Sequence, residues 1–210
     1  MTSRRAGRRE REVTATGLPL LRLPETLTDG TILLDAHRPE DAETHWREED
    51  EEMRRRFDAI RPATLDETRA AIARWIDGRA AGAPMFAYAL REPSGRLVGG
   101  CELRMRSAEV ANLSYWLFPA FRGRGYAARA VAMLCRAAAG VEGLRWLQAR
   151  IAPDNAGSRR VAEKAGFVAA GMVEEKAWTG VSSLMMLYVR PVAVSPIKET
   201  RRRIVDLKAD

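Results

Sequence analysis

Apolar residues in this 210-residue chain recur with a period near two in some stretches and near 3.6 in others, and that alternation predicts the elements. The stretch Leu18-Pro-Leu-Leu-Arg-Leu-Pro24 is apolar but carries two prolines, which suits an extended lead-in rather than a helix. Thr31 to Ala36, set between Asp29-Gly30 and Arg38-Pro39, predicts a first strand. Pro39 opens a helix, with Glu40, Asp41 and Glu43 complementing the dipole of its first turn. Ala42, Trp46, Met53 and Phe57 follow at intervals of four, seven and four, one apolar stripe opposite a charged face.

Thr64-Leu-Asp-Glu67 reads as a capping box that starts a second amphipathic helix through Leu65, Thr68, Ile72, Trp75 and Ile76, ending between Gly78 and Pro84. Met85 to Leu90 and Leu97 to Met105 flank the turn Glu92-Pro-Ser-Gly-Arg96 and predict a hairpin. Ala111 to Phe118 adds a third consecutive strand, with Leu113, Tyr115 and Leu117 on one face and Ser114 and Trp116 on the other. An alanine-rich helix to about Ala139 follows, then a strand from Leu144 to Ile151. Asn155 caps a short helix that ends at Gly166, and Phe167-Val168 starts another strand. The last two strands, Gly171 to Trp178 and Ser183 to Val189, flank a Thr179-Gly180 turn. The order β-α-α-β-β-β-α-β-α-β-β predicts an α/β (α+β) layer architecture built on a mixed sheet.

Length and composition bound this picture. A chain of 210 residues, 46% hydrophobic and 30% charged, supports one globular core. The net charge of +7 is concentrated at the ends, in Arg4, Arg5, Arg8, Arg9 and Arg11 and in Lys198, Arg201, Arg202, Arg203 and Lys208. The expected organisation is a basic disordered tail over 1–17, a single domain over 18–192 and a basic C-terminal tail over 193–210. Such tails can hold nucleic acid or a ribosome by counterion release, but no aromatic platform is interleaved with them for specific readout. No long apolar run and no signal-peptide pattern occurs, so a cytoplasmic protein with no membrane contact is expected. Cys101 and Cys135 stand in apolar surroundings without metal-ligand spacing and read as buried hydrophobes; no metal is expected.

The stretch with most chemistry is Arg122-Gly-Arg-Gly-Tyr-Ala127, which joins the third consecutive strand to the alanine-rich helix. Strand, glycine turn and helix in that order leave the first helical N–H groups unpaired at the positive end of the dipole, a place that attracts phosphate. Gly123 and Gly125 permit positive φ and close approach, and Arg122 and Arg124 add cationic donors.

This turn matches the acetyl-CoA signature Gln/Arg-x-x-Gly-x-Gly/Ala of the GNAT superfamily of N-acetyltransferases, and the chain resembles that superfamily further downstream. Asn155-Ala-Gly-Ser158 followed by Glu163-Lys-Ala-Gly-Phe167 resembles its Asn-x-x-Ser/Ala…Glu-Lys-x-Gly-Phe pattern, and Arg38-Pro-Glu-Asp41 resembles the entrance of the RimJ/RimL-like, ribosomal-protein-alanine acetyltransferase branch. The resemblance covers about residues 25 to 190. It implies a GNAT-like, mostly antiparallel central sheet with helices on both faces and a V-shaped splay between the fourth and fifth strands. It implies acetyl-CoA as co-substrate, with the pyrophosphate on the turn Arg122, Gly123, Arg124, Gly125, Tyr126 and Ala127. Trp116, Leu117 and Phe118 then line the groove for the pantetheine, or serve as plain core, and Asn155 and Ser158 contact the cofactor, Asn155 also capping its helix.

Amine acetylation needs a neutral amine, polarisation of the thioester carbonyl and a proton for the leaving thiolate. Direct attack without a covalent enzyme intermediate is implied, with a backbone N–H near Leu117 or Phe118 on the developing oxyanion. Glu102, a carboxylate in an apolar strand beside the third strand, is the candidate base, since burial would raise its pKa; the alternative is a solvent-facing glutamate paired with Arg104. Glu109 and the run Glu48 to Glu52 are rivals. The tyrosine that many family members place two positions before Lys-x-Gly-Phe is Ala162 here, and Ser158 is the implied substitute, as in the RimJ/RimL-like branch. His37 and His45 read as structural or surface residues. The acceptor implied by the branch is a protein N-terminal α-amine, with a small amine or aminoglycoside as the alternative, and the protein is expected as a monomer or homodimer. A non-catalytic acyl-CoA sensor is the competing class.

Overall fold

The computed structural model describes residues 18, 20–57, 59, 61–176 and 182–192. Both basic tails and the Thr179-Gly180 turn lie outside the described residues. Among the described residues eight strands form one sheet: β1 (Leu27–Thr28), β2 (Leu33–Asp35), β3 (Met85–Arg91), β4 (Leu97–Met105), β5 (Val110–Leu117), β6 (Trp146–Ile151), β7 (Val168–Lys176) and β8 (Ser182–Pro191). Their spatial order is β1-β2-β3-β4-β5-β6-β8-β7, and β5 against β6 is the parallel pair in an otherwise antiparallel sheet. The fourth and fifth strands expected from sequence are β5 and β6, because the two-residue β1 precedes them.

Helices α1 (Asp41–Glu48) and α3 (Leu65–Ala81) lie on one face, α4 (Tyr126–Ala138) and α5 (Ala156–Lys164) on the other, and the short α2 (Glu51–Arg56) lies between α1 and α3 in the chain. The stripe expected as one helix from Pro39 to Phe57 is two helices. Glu49 is extended, and the Asp50 carboxylate caps α2 by accepting from the Met53 N–H at 2.9 Å. An aspartate that satisfies an orphan N–H favours a helix start over helix continuation. Of the stripe, Ala42 and Met53 are buried, while Trp46 and Phe57 are 41% and 44% exposed. Helix α3 starts with the expected capping box, Thr64 and Glu67 bonding reciprocally. After the last helix come the two strands of the expected order; the start expected at Phe167 and the stretch expected from Gly171 belong to one of them, β7, its register shifted between Ala169 and Gly171. Gly171 at φ 124° takes up that bulge.

A buried charge cluster ties α1 to the sheet. Arg91, at the end of β3, donates to both Asp41 oxygens at 2.9 and 2.7 Å and to Asp35 at 2.8 Å. Burial pushes Asp41 upward, yet His37, Arg91 and the Arg38 N–H outweigh it and hold the carboxyl well below the usual range.

On the same face Trp116 of β5 lies against Trp75 and His45, and directly across the ladder it faces Gly100. A Cβ at Gly100 would stand 2.3 Å from the Trp116 ring, so this glycine makes room for the indole. Gly100→Ala is therefore expected to destabilise the fold by about 1–3 kcal/mol through overpacking, read as a lower urea midpoint at unchanged slope. An unchanged midpoint would show that the indole is not pinned there.

Candidate active site

The groove begins where β5 ends. Pro119–Phe121 form a short 3-10 turn, Gly123 and Gly125 take φ of 76° and 80°, and α4 begins at Tyr126 without a side-chain cap. Among the described residues, no N–H from Gly123 to Ala128 donates to a protein oxygen. These donors converge at the positive end of α4, an arrangement that fits the pyrophosphate of a coenzyme. The turn's side chains are partly engaged elsewhere. Arg122 grips Asp50 with two bonds of 2.7 and 2.8 Å and donates Nε–H to the Leu117 carbonyl at 3.1 Å. Arg124 lies over the Phe121 ring, 3.9 Å from Glu92, and the Tyr126 hydroxyl donates to Glu92 at 2.7 Å.

Strands β5 and β6 pair only at Val110↔Trp146, Ala111↔Leu147 and Asn112↔Gln148. Beyond that rung they part, and among the described residues the β5 edge from Leu113 to Leu117 has no strand partner on that side. The opening is a groove of about 510 Å³. It is lined by Trp116 and Leu117 from β5, by Arg122, Gly123, Gly125 and Ala127 from the turn, and by Asn155 and Ser158 from α5. Phe118, Arg124 and Tyr126, also expected there, do not line it; Phe118 is fully buried, edge-on to His45. The Phe118 N–H donates to the Val98 carbonyl at 3.0 Å, which removes it as an oxyanion donor. In the antiparallel ladder the preceding N–H, that of Leu117, points to the opposite edge, into the V.

Asn155 accepts from the Ser158 N–H at 3.0 Å and so caps α5 as expected. The Ser158 side chain meets the Tyr115 hydroxyl, whose pKa is raised by burial and lowered in part by that contact. Tyr115 escaped the sequence reading because its strand position marks a face, and only the packing of α5 on that face brings it to Ser158. Ala162 is buried and offers no proton at the place of the usual tyrosine.

A second cavity of about 390 Å³ lies on the α1–α3 face and shares Met53, Phe57, Ser114 and Trp116 with the groove. Glu102 lines it, opposite Ser114 in register, 8% exposed, accepting from Arg104 at 3.3 Å. Its partner is the one anticipated, but it does not face bulk solvent. Glu109 sits at the closed end of the V, 3.6 Å from Arg145. His45 also lines the cavity, and burial reinforced by His37 lowers its pKa to about 4, leaving a neutral imidazole. Sequence offered no sign of this beyond a histidine four residues after Asp41. Among the described residues no cluster of side chains could hold a metal ion, and no helix is long and apolar enough to cross a membrane.

The family model of the Acetyltransferase (GNAT) domain matches residues 31–168. The chain belongs to the GNAT family. No curated protein matches this GNAT chain by sequence. Among solved structures, Mycobacterium smegmatis RimJ in complex with CoA-disulfide is 18% identical with a TM-score of 0.66, covering 89% of this chain and 94% of that one. RimL, a ribosomal L7/L12 alpha-N-protein acetyltransferase in complex with coenzyme A, is 18% identical with a TM-score of 0.66, covering 80% and 97%. The microcin C7 self immunity acetyltransferase MccE, in complex with acetyl-CoA and AMP, is 16% identical with a TM-score of 0.67, covering 80% and 97%. At these identities the likeness is one of fold.

The neutral His45 has a consequence for stability. Its imidazole titrates near 6.5 when unfolded and about 4 when folded, so between those values the unfolded chain binds the extra proton. Stability should fall as pH drops through this window, by up to about 1.4 kcal/mol per unit, with no further loss from this group below it. Denaturation at several pH values should show a smaller slope for His45→Phe than for the unsubstituted protein; equal slopes would assign the dependence to other groups.

Proposed function

We propose that this GNAT N-acetyltransferase moves the acetyl group of acetyl-CoA to the α-amine at the N-terminus of a protein or peptide, by direct attack of the neutral amine. The observation that carries the reading is the meeting of two cavities at Ser114 and Trp116, one leading to the glycine turn and the other to Glu102. Bound acetyl-CoA supplies the thioester carbonyl and the leaving thiol. The N–H groups from Gly123 to Ala127 hold its pyrophosphate, with Arg124 able to swing from Phe121 toward it. The free β5 edge aligns the pantetheine as a strand would, and the Leu117 N–H stabilises charge on the carbonyl oxygen.

Glu102 takes the proton from the amine, directly or through water, and Ser158, backed by Tyr115, protonates the thiolate. The charge of the second cavity favours a single amine over a polycation. Each lining carboxylate has an arginine: Glu49 with Arg54 at 3.7 Å, Glu67 with Arg61 at 2.6 Å and Glu102 with Arg104 at 3.3 Å. A polyamine or aminoglycoside would meet no unpaired carboxylate among these three. The reaction belongs to the cytoplasm in this reading, and the basic tails are additional contacts for a ribosome or nucleic acid.

The test is to incubate the purified protein with acetyl-CoA and a panel of peptides, polyamines and aminoglycosides, following thiol release and product mass. Peptides should be acetylated at their α-amine; binding of acetyl-CoA with no turnover on any acceptor would instead identify a sensor. Glu102→Gln should lower kcat by about 10²–10⁴-fold while keeping the thermal shift with acetyl-CoA. Gly125→Glu should abolish that shift, because it forces a side chain into positive φ and puts a negative charge where phosphate binds. A persisting shift would remove the turn from the cofactor site.

A further inference from the structure

The helix α2 is short, and among the described residues its backbone makes no extensive contact with any one other element; Met53 is its side chain in the core. Six residues of helix are marginal alone, and Met53 is the buried side chain that α2 contributes. What places this helix is charge at both of its ends. At the N-terminal end Asp50, its cap, receives the bidentate Arg122 pair from the turn that follows β5. Toward the other end Arg55 and Arg56 reach Asp154, in the loop that follows β6, at 2.6 and 2.5 Å. Glu52 holds those same two arginines from within the helix, at 2.9 and 2.7 Å. The two anchors thus stand at the open ends of the two strands that part, and α2 crosses the mouth of the V between them.

The residues α2 suspends there are Met53 and Phe57, and both line the cofactor groove and the second cavity. We propose that α2 is a charge-clamped crossbar, and that Asp50, Arg122 and Asp154 are positioning residues that set where the acceptor meets the thioester. The guanidinium of Arg122 serves the crossbar, and the turn binds phosphate through its backbone. The proposal rests on the acetyl-transfer reading above, since it assigns the second cavity to the acceptor.

An exposed ion pair contributes little where packing already decides a position. Here packing is slight, and the charges come as a network with bidentate geometry, so they decide it. A weakened clamp lets Met53 and Phe57 drift. The acceptor's Michaelis constant should then suffer, while the groove, formed mainly by β5, β6, α4 and α5, keeps its hold on acetyl-CoA.

Asp50→Asn is the decisive variant, because asparagine caps a helix as well as aspartate, so what is lost is the charge and the second acceptor oxygen of the Arg122 pair. It should raise the acceptor KM by roughly 3–10-fold, with acetyl-CoA affinity within about twofold and an unchanged circular dichroism spectrum. Arg122→Gln should do the same, the double variant should be no worse than either single one, and Asp154→Asn should act in the same direction. Raising ionic strength should narrow the gap between the unsubstituted protein and Asp50→Asn, since salt screens the clamp. The proposal fails if Asp50→Asn leaves the acceptor KM unchanged, or if Arg122→Gln costs about tenfold in acetyl-CoA affinity, which would make Arg122 a phosphate ligand. A protein that acetylates no amine at all would overturn the transferase reading and this inference together; turnover with an indifferent Asp50→Asn overturns only the crossbar.

Discussion

The structure depends on two parallel strands that stop pairing. A β-strand whose edge is abandoned in the interior carries N–H and C=O groups that must be satisfied somehow. In this protein β5 and β6 share three rungs and then diverge, leaving the β5 edge from Leu113 to Leu117 open to a groove. In the acetyl-transfer reading proposed above, an extended amide chain such as a pantetheine would meet that need. The other parts of the site are placed around this gap: the glycine turn closes one end of β5, Ser158 lines the groove from α5, and α2 crosses above.

The gap persists because both strands are well held on their other sides. Strand β5 is paired with β4 along its length, and Trp116 lies in the space that Gly100 leaves open. Strand β6 is paired with β8 from end to end. The cluster of Arg91 with Asp41 and Asp35 pins the start of α1, and so the position of His45 on the second cavity. Removing one partner of such a buried pair leaves an uncompensated charge, which is why the cluster holds α1 firmly. By contrast α2, next along the chain, contributes Met53 to the core and for the rest depends on partly exposed charges.

Much of this was legible in the chain. The Arg122 to Ala127 turn, the capping box of α3, the Asn155 cap and the hairpin around Glu92 to Arg96 all appear where their residues predicted them. Each is a device closed within a few residues, so composition and spacing suffice to read it. The break between α1 and α2 is also local, but Asp50 stood inside an acidic run that continued the helical pattern, and its role as a cap was masked by its neighbours.

Sequence by itself determined that a strand, a glycine turn and a helix would expose a row of N–H donors, because positive φ and free helical N–H groups follow from residue type and order. Only the tertiary structure decided what surrounds those donors. Arg122 looked like a mobile phosphate donor, and it is bound to an aspartate 72 residues away. Tyr115 looked like a strand face residue, and it meets Ser158 across the groove. Glu102 could be a buried base or a solvent-facing partner of Arg104, and it is buried in the cavity to which α1 also brings an imidazole. These outcomes turn on which elements pack across the sheet, and no local pattern carries the long-range contacts that set that packing.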